Sequence, residues 1–322
     1  MKIHAIGKQD TNYPWGFETK VIAALTHMGH NIISTDYVKQ PNELTNKIDA
    51  NLTLVFKGDR IAPEYILNIE NPVVLWWAEL IGTVAEFDLP ASQARQILSY
   101  NIGAFDHVFV HDAPTALVCE EMGAMNVSVA PTCIVNHDVH FKIDGINKKH
   151  DIGFVGFLTD RRKAIIEELQ KVYQVAVREI KDPIKMNEFF NECKIVLNLH
   201  LSDLKNTESR VGEVMGSGSF LLSEELTTAA FEDNKHLGIF KNSDFNDLCD
   251  HIDYYLKNEK EREAIAAAGY EFIKADYSME GVLKKMLEMD FKKCWPTSIC
   301  GMLYDKDDLQ TNDLQKFYEA VG

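Results

Sequence analysis

Short apolar runs, each bounded by polar residues or glycine, recur along the chain and alternate with longer stretches of helical period. In the first half, runs at 2–7, 31–35, 52–56, 73–77, 107–110 and 128–130 read as strands. A helix is predicted from 17 to 28, ending at Gly29, a residue suited to the position after a helix. A second series follows, with strands at 151–156, 174–179, 195–199, 219–223 and 236–240 and helices at 160–172, 184–193, 244–257, 259–274 and 279–289. Phe245, Leu248, Ile252, Tyr255 and Leu256 form a helical stripe that predicts packing on a sheet. Uninterrupted apolar runs suit parallel strands covered on both faces, and their alternation with helices predicts right-handed crossovers.

At 322 residues the chain exceeds the size at which one core keeps growing, which predicts two domains of roughly 150 residues. Between 131 and 150 the period is lost in PTCIVNHDVHFKIDGINKKH, which reads as an interdomain linker. The expected division is a first domain over 1–140, a second over 141–290 and a tail over 291–322. Trp295, Tyr304 and Phe317 make that tail too aromatic for a disordered end, so it is expected to pack on the first domain.

Composition narrows the partners. The net charge is −16, about −6 through residue 150 and about −10 after it. No lysine and arginine stripe exists to track a phosphate backbone, which counts against nucleic acid. Six cysteines without a C-x-x-C suggest reduced thiols in a cytoplasmic protein, and neither a disulfide framework nor a zinc site. No signal-peptide core opens the chain and no run approaches 18 apolar residues, so no membrane span is expected.

Two stretches carry candidate chemistry. The first is 194–224, KIVLNLHLSDLKNTESRVGEVMGSGSFLLSE, two buried strands flanking a polar loop and a short helix. Arg210 and Glu213 are three apart and share a helix face, where a guanidinium can clamp phosphate and a carboxylate can accept from sugar hydroxyls. Asn198, at the end of the preceding strand, is grouped with them. An ordinary surface ion pair is the alternative. The second is the turn 153–163, GFVGFLTDRRK: Gly156 permits close approach to the backbone, Thr159 or Asp160 can cap the next helix, and Arg161, Arg162 and Lys163 load its first turn with cations. Cations there oppose the helix dipole by roughly 0.3–1 kcal/mol each, so an anion is expected to offset them unless the side chains splay into water. A diphosphate between Arg161 or Arg162 and Arg210 satisfies both stretches.

These residues resemble a known family. The runs D-I-G-F-V-G-x-x-x-x-R-R and K-I-V-L-N-L-H, then R-x-x-E-x-M-x-x-G-x-F-L-L and L-C-D-H-I-D-Y-Y-L-K-N-E-K-E-R-E-A-I-A-A-A-G-Y, are together similar to the C-terminal half of CgeB-type, spore-maturation-protein-like glycosyltransferases. The likeness covers about 151–285. VLWWAEL and FVHDAPTALVCEEMGAMNVSVAPT also look similar to that family's first domain. The resemblance implies a GT-B fold: α/β, two Rossmann-like domains facing across a cleft, with the C-terminal segment packing back on the first domain. It implies a donor such as a UDP- or GDP-sugar held by the second domain, with no cofactor and no metal. Gly156 and Arg161 or Arg162 would approach the phosphates, Arg210 would clamp them, and Glu213 would contact ribose or sugar.

Retaining GT-B enzymes often carry two glutamates eight positions apart, whereas Leu221 and Lys205 stand eight on either side of Glu213, leaving stereochemistry open. An inverting enzyme needs a base within reach of the acceptor hydroxyl. Asp10, Glu18, Glu79, His111 and Asp112 are candidates; a helix cap is the alternative for Asp112. His137-Asp138-x-His140 lacks a third clear metal ligand. Asp305-x-Asp307 reads as a solvated patch. The loop bearing Asn12, Pro14, Trp15 and Gly16 has no G-x-G-x-x-G, and neither a G-x-S-x-G elbow nor a P-loop occurs. The leading expectation is a metal-independent glycosyltransferase. A non-catalytic binding protein of the same fold and an enzyme acting on modified DNA bases are the alternatives.

Overall fold

The computed structural model describes residues 1–7, 16–37, 39, 47–59, 61–79, 81, 95–96, 98–201, 205–228 and 230–294. They form two compact units, one within 1–130 and 285–294 and the other within 131–284.

In the first unit, β1 (Lys2–Gly7), β2 (Asn31–Asp36), β3 (Leu52–Phe56), β4 (Val73–Trp77), β5 (His107–Val110) and β6 (Val127–Val129) build a sheet in the order β2-β1-β3-β4-β5-β6. Every pairing is parallel. Helices α1 (Phe17–His27), α2 (Pro63–Asn68) and α3 (Ala113–Glu121) lie between strands. All residues of β3, β4 and β5 are buried, as strands covered on both faces must be. The strand order reverses between β1 and β3, so the crevice of this sheet opens at the carboxyl ends of those strands.

Residues 285–294 belong to this unit. The fully buried Asp106 carboxylate accepts from the amides of Val73 (2.6 Å) and Cys294 (2.5 Å) and pairs with Lys293 (3.3 Å). Phe291 meets His107 and Phe109 edge-on. Burial pushes the Lys293 ammonium below its ordinary range, and Asp106 opposes that shift. Trp295, Cys300, Tyr304, Asp305, Asp307 and Phe317 lie outside the described residues, as do Asp10, Asn12, Pro14 and Trp15.

The second unit carries β7 (His150–Val155), β8 (Val175–Arg178), β9 (Cys193–Asn198), β10 (Leu221–Glu224) and β11 (Gly238–Phe240), also all parallel, in the order β11-β10-β9-β7-β8. The connecting helices are α4 (Asp160–Leu169), α5 (Pro183–Asn191), α6 (Ser209–Gly216), α7 (Phe245–Lys257), α8 (Glu259–Asp276) and α9 (Met279–Leu287). Side chains alternate between two cores. Ile152, Phe154, Ile195, Leu197 and Leu222 face α4 and α7, whereas Val155, Val196 and Leu221 face α5 and α6.

The segment 131–150 is no linker. Its Cys133 and Val135 are each 1% exposed and pack in the second core. A Cβ on Gly212 would sit 2.0 Å from the Cys133 carbonyl oxygen, so only glycine lets α6 lie this close. Val135 also forms a parallel bridge to Ser278, donating to the Tyr277 carbonyl and accepting from the Met279 amide. Burial raises the thiols of Cys119, Cys133 and Cys193 to about 12, which leaves them inert at neutral pH. No helix among the described residues is long and apolar enough to cross a membrane.

Candidate functional site

In the second sheet the strand order reverses between β7 and β9, and a ligand crevice opens outside their carboxyl ends. Gly156 follows β7 with φ +153, in a region that side-chain-bearing residues rarely adopt. Thr159 Oγ1 then caps α4 by accepting from the Arg162 amide (3.3 Å). That cap sets Arg162 in the first turn. Its guanidinium donates to the carbonyls of Leu199 (2.9 Å), His200 (3.3 Å) and Phe157 (3.1 Å), bridging the ends of β7 and β9. It also lies 5.5 Å over the Phe154 ring and 3.5 Å from Glu208. The carbonyls satisfy its N–H groups, and Glu208 is the carboxylate nearest its charge.

Arg161, one position earlier, turns toward β10. Both of its terminal nitrogens meet the Glu224 carboxylate, Nη1 at 3.1 Å from Oε2 and Nη2 at Oε1. They also donate to the His200 carbonyl and the Ser243 hydroxyl, each at 3.2 Å. Glu224 is wholly buried, and it accepts in addition from the amides of His200 (2.6 Å) and Ser243 (3.3 Å). One carboxylate thus fixes three turns, those after β7, β9 and β11. Lys163 points away and pairs with Glu167 on the surface.

Arg210 and Glu213 occupy one face of α6, as their spacing predicts, with Nη1 to Oε2 at 2.8 Å. The guanidinium rests 5.3 Å from the Phe190 ring. Glu213 is 7% exposed, so this is a largely buried pair and not a solvated one. Asn198, 2% exposed at the end of β9, donates to Ser223 Oγ at 3.0 Å. Burial lowers the Arg162 pKa most, Glu208 opposes it, and the positive charges of Arg210 and Arg161 lower it further. Arg162 therefore feels the charge of both other guanidiniums.

In the first unit, His111 and Asp112 follow β5. The imidazole Nε2 lies 3.2 Å from Asp112 Oδ2, while Oδ1 accepts from the Thr115 amide at 2.9 Å and caps α3. Asp112 is both the helix cap and the neighbour of His111. Glu79 follows β4 and pairs with Lys57 at 3.2 Å, and both side chains are about half exposed. Lys57 has φ +66, an uncommon conformation for a lysine. Glu18 lies in the first turn of α1.

His137 packs edge-on to Tyr270, and burial lowers its pKa. Among the described residues no group of three His, Cys, Asp or Glu is placed to hold a metal ion. Sequence reasoning missed Glu224, Glu208, His200 and Ser243. His200 is 1% exposed and donates from Nε2 to the Glu225 carbonyl (2.9 Å), while Nδ1 faces Glu208 at 3.8 Å. The run S-E-E after an apolar strand held a signal for Glu224, a carboxylate at a strand's carboxyl end, but nothing local distinguished it from Glu225.

Residues 157–288 match the profile of a family described as Glycosyl transferase-like. A search of curated proteins finds no match. Sucrose-phosphate synthase from Thermosynechococcus elongatus superposes with a TM-score of 0.67 at 9% identity, covering 89% of this chain and 98% of that one. HepE of Anabaena in complex with UDP gives 0.62 at 10% identity, over 89% and 99%. TarM gives 0.55 at 15% identity, over 73% of this chain and 54% of that one. The chain has the α/β fold of GT-B glycosyltransferases, with two parallel sheets, and its second half carries the likeness to the Glycosyl transferase-like family.

Proposed function

We propose that this protein is a glycosyltransferase of the CgeB type that moves a sugar from a nucleoside diphosphate sugar, UDP- or GDP-linked, to a hydroxyl acceptor without a metal. The observation behind the reading is that Arg161 and Arg162 open the helix after β7, and Asn198, Arg210 and Glu213 lie at the end of β9 and on the helix after it, the two strands between which the strand order reverses. Anabaena HepE forms complexes with UDP, with UDP and glucose, and with UDP-glucose, which supports a uridine donor here.

In this reading Arg162 and Arg210 stabilise charge developing on the leaving diphosphate, and Glu213 accepts from a hydroxyl of the ribose or sugar. His111, beside the Asp112 carboxylate, is the proposed base for the acceptor hydroxyl, because a neighbouring carboxylate stabilises the imidazolium that forms. Glu79 is the second candidate. A donor-binding protein without turnover is the competing reading, favoured by the complete engagement of Arg161 with Glu224.

Calorimetry with UDP and GDP tests the proposal. Binding that Arg210→Ala abolishes supports it, and the absence of any binding at millimolar nucleotide overturns it. Hydrolysis of UDP-glucose by the wild-type protein separates the enzyme from the binding protein.

A further inference from the structure

On the face of the second sheet that carries α4 and α7, the two helices leave a half-open cavity of about 230 Å³. Ala164 and Ile165 of α4 form one wall; Phe240, Phe245 and Leu248 form the other. Its volume exceeds the roughly 150 Å³ of apolar cavities that take up benzene and falls below the roughly 300 Å³ at which pockets for drug-sized ligands begin. It suits a single ring system of one or two fused rings.

The polar end defines the chemistry. Arg161 and Glu224 line it, but they neutralise each other and leave no unpaired charge for an ionic ligand. Asp244, also in the lining, uses Oδ1 to cap α7 by accepting from the Asp247 amide (3.0 Å), whereas Oδ2 takes no hydrogen bond from any described residue. An acceptor beside apolar walls calls for a ligand that donates. Between them Ser243 stands at φ +60, held there by its amide bond to the buried Glu224. Such strain in a side-chain-bearing residue costs about 1 kcal/mol or more and persists where the surroundings over-determine it, commonly at ligand sites.

We propose that this cavity is a binding site for a neutral, planar heteroaromatic ring whose N–H is donated to Asp244. The site stands apart from Arg210 and Glu213, shares Arg161 with the residues of the donor reading, and is argued from its own lining.

Indole is the probe, titrated into the full chain by calorimetry, with benzofuran as the isostere that lacks the N–H. Saturable indole binding is expected, with benzofuran weaker on the order of tenfold, the loss of one hydrogen bond to a charged group. Ala164→Trp fills the cavity from an exposed position, so it should abolish indole binding and leave thermal unfolding unchanged. Arg210→Ala should bind indole as the wild type does. No saturable binding, equal affinity for benzofuran, binding that survives Ala164→Trp, or binding lost in a folded Arg210→Ala variant overturns the proposal.

Discussion

Arg161 and Glu224, 63 residues apart, meet through a two-point ion pair in which the carboxylate is wholly buried and the guanidinium is 17% exposed. Removing one partner strands the other charge in a low-dielectric setting. Glu224→Ala is expected to lower stability by about 3–5 kcal/mol, read from urea midpoints. Adding Arg161→Met should recover part of that loss, because the stranded charge disappears with it. Additive losses would show that the pair is not coupled.

Arg162 contacts the carbonyls of Phe157, Leu199 and His200 with one planar fork. Lysine keeps the charge but offers a point donor that cannot span them. Arg162→Lys should cost about 1–3 kcal/mol in chemical unfolding and weaken UDP binding as well. Wild-type stability in this variant would mean that water satisfies those carbonyls equally well.

If His111 is the base, His111→Ala should reduce the rate of sugar transfer by about 10²–10⁴ while leaving UDP affinity intact. Initial rates and calorimetry on the same preparation separate the two. A variant that turns over at the wild-type rate removes His111 and shifts attention to Glu79.

His4, on β1, is 4% exposed and has its ring Nε2 3.0 Å from Thr35 Oγ1. Burial lowers its pKa from 6.5 to about 4. Above pH 6.5 the group is neutral in both states and contributes nothing to pH dependence. Between 6.5 and about 4 the unfolded chain takes up a proton that the folded chain refuses, so stability falls as pH falls, by roughly 3 kcal/mol in all. Urea midpoints across that window should flatten in the double variant His4→Val with Thr35→Val. An unchanged slope would place the acid sensitivity elsewhere.

The strands were legible wherever burial on both faces made them continuous apolar runs. The spans 2–7, 52–56, 73–77 and 107–110 coincide with β1, β3, β4 and β5. At 236–240 only 238–240 is strand, because His236 stacks on Phe272 instead of joining the ladder. Among polar neighbours, the short apolar run at 133–135 was too brief to outweigh them, although it packs in the second core. The i,i+3 pairing of Arg210 with Glu213 is local and followed from spacing. Most partners of Arg161 and Arg162 lie on or just after strands 37–82 residues further on, and no window of sequence reveals a contact set by sheet order.

The bridge between Val135 and Ser278 brings the entry and the exit of the second unit side by side. That unit is thus an insertion, spliced into a host whose chain resumes at Lys285. Joining its neighbouring ends with a few residues and opening a surface turn would yield a circular permutant with little added closure entropy. A chain limited to 131–287, which keeps α9 whole, tests whether the second unit folds and binds a nucleotide by itself.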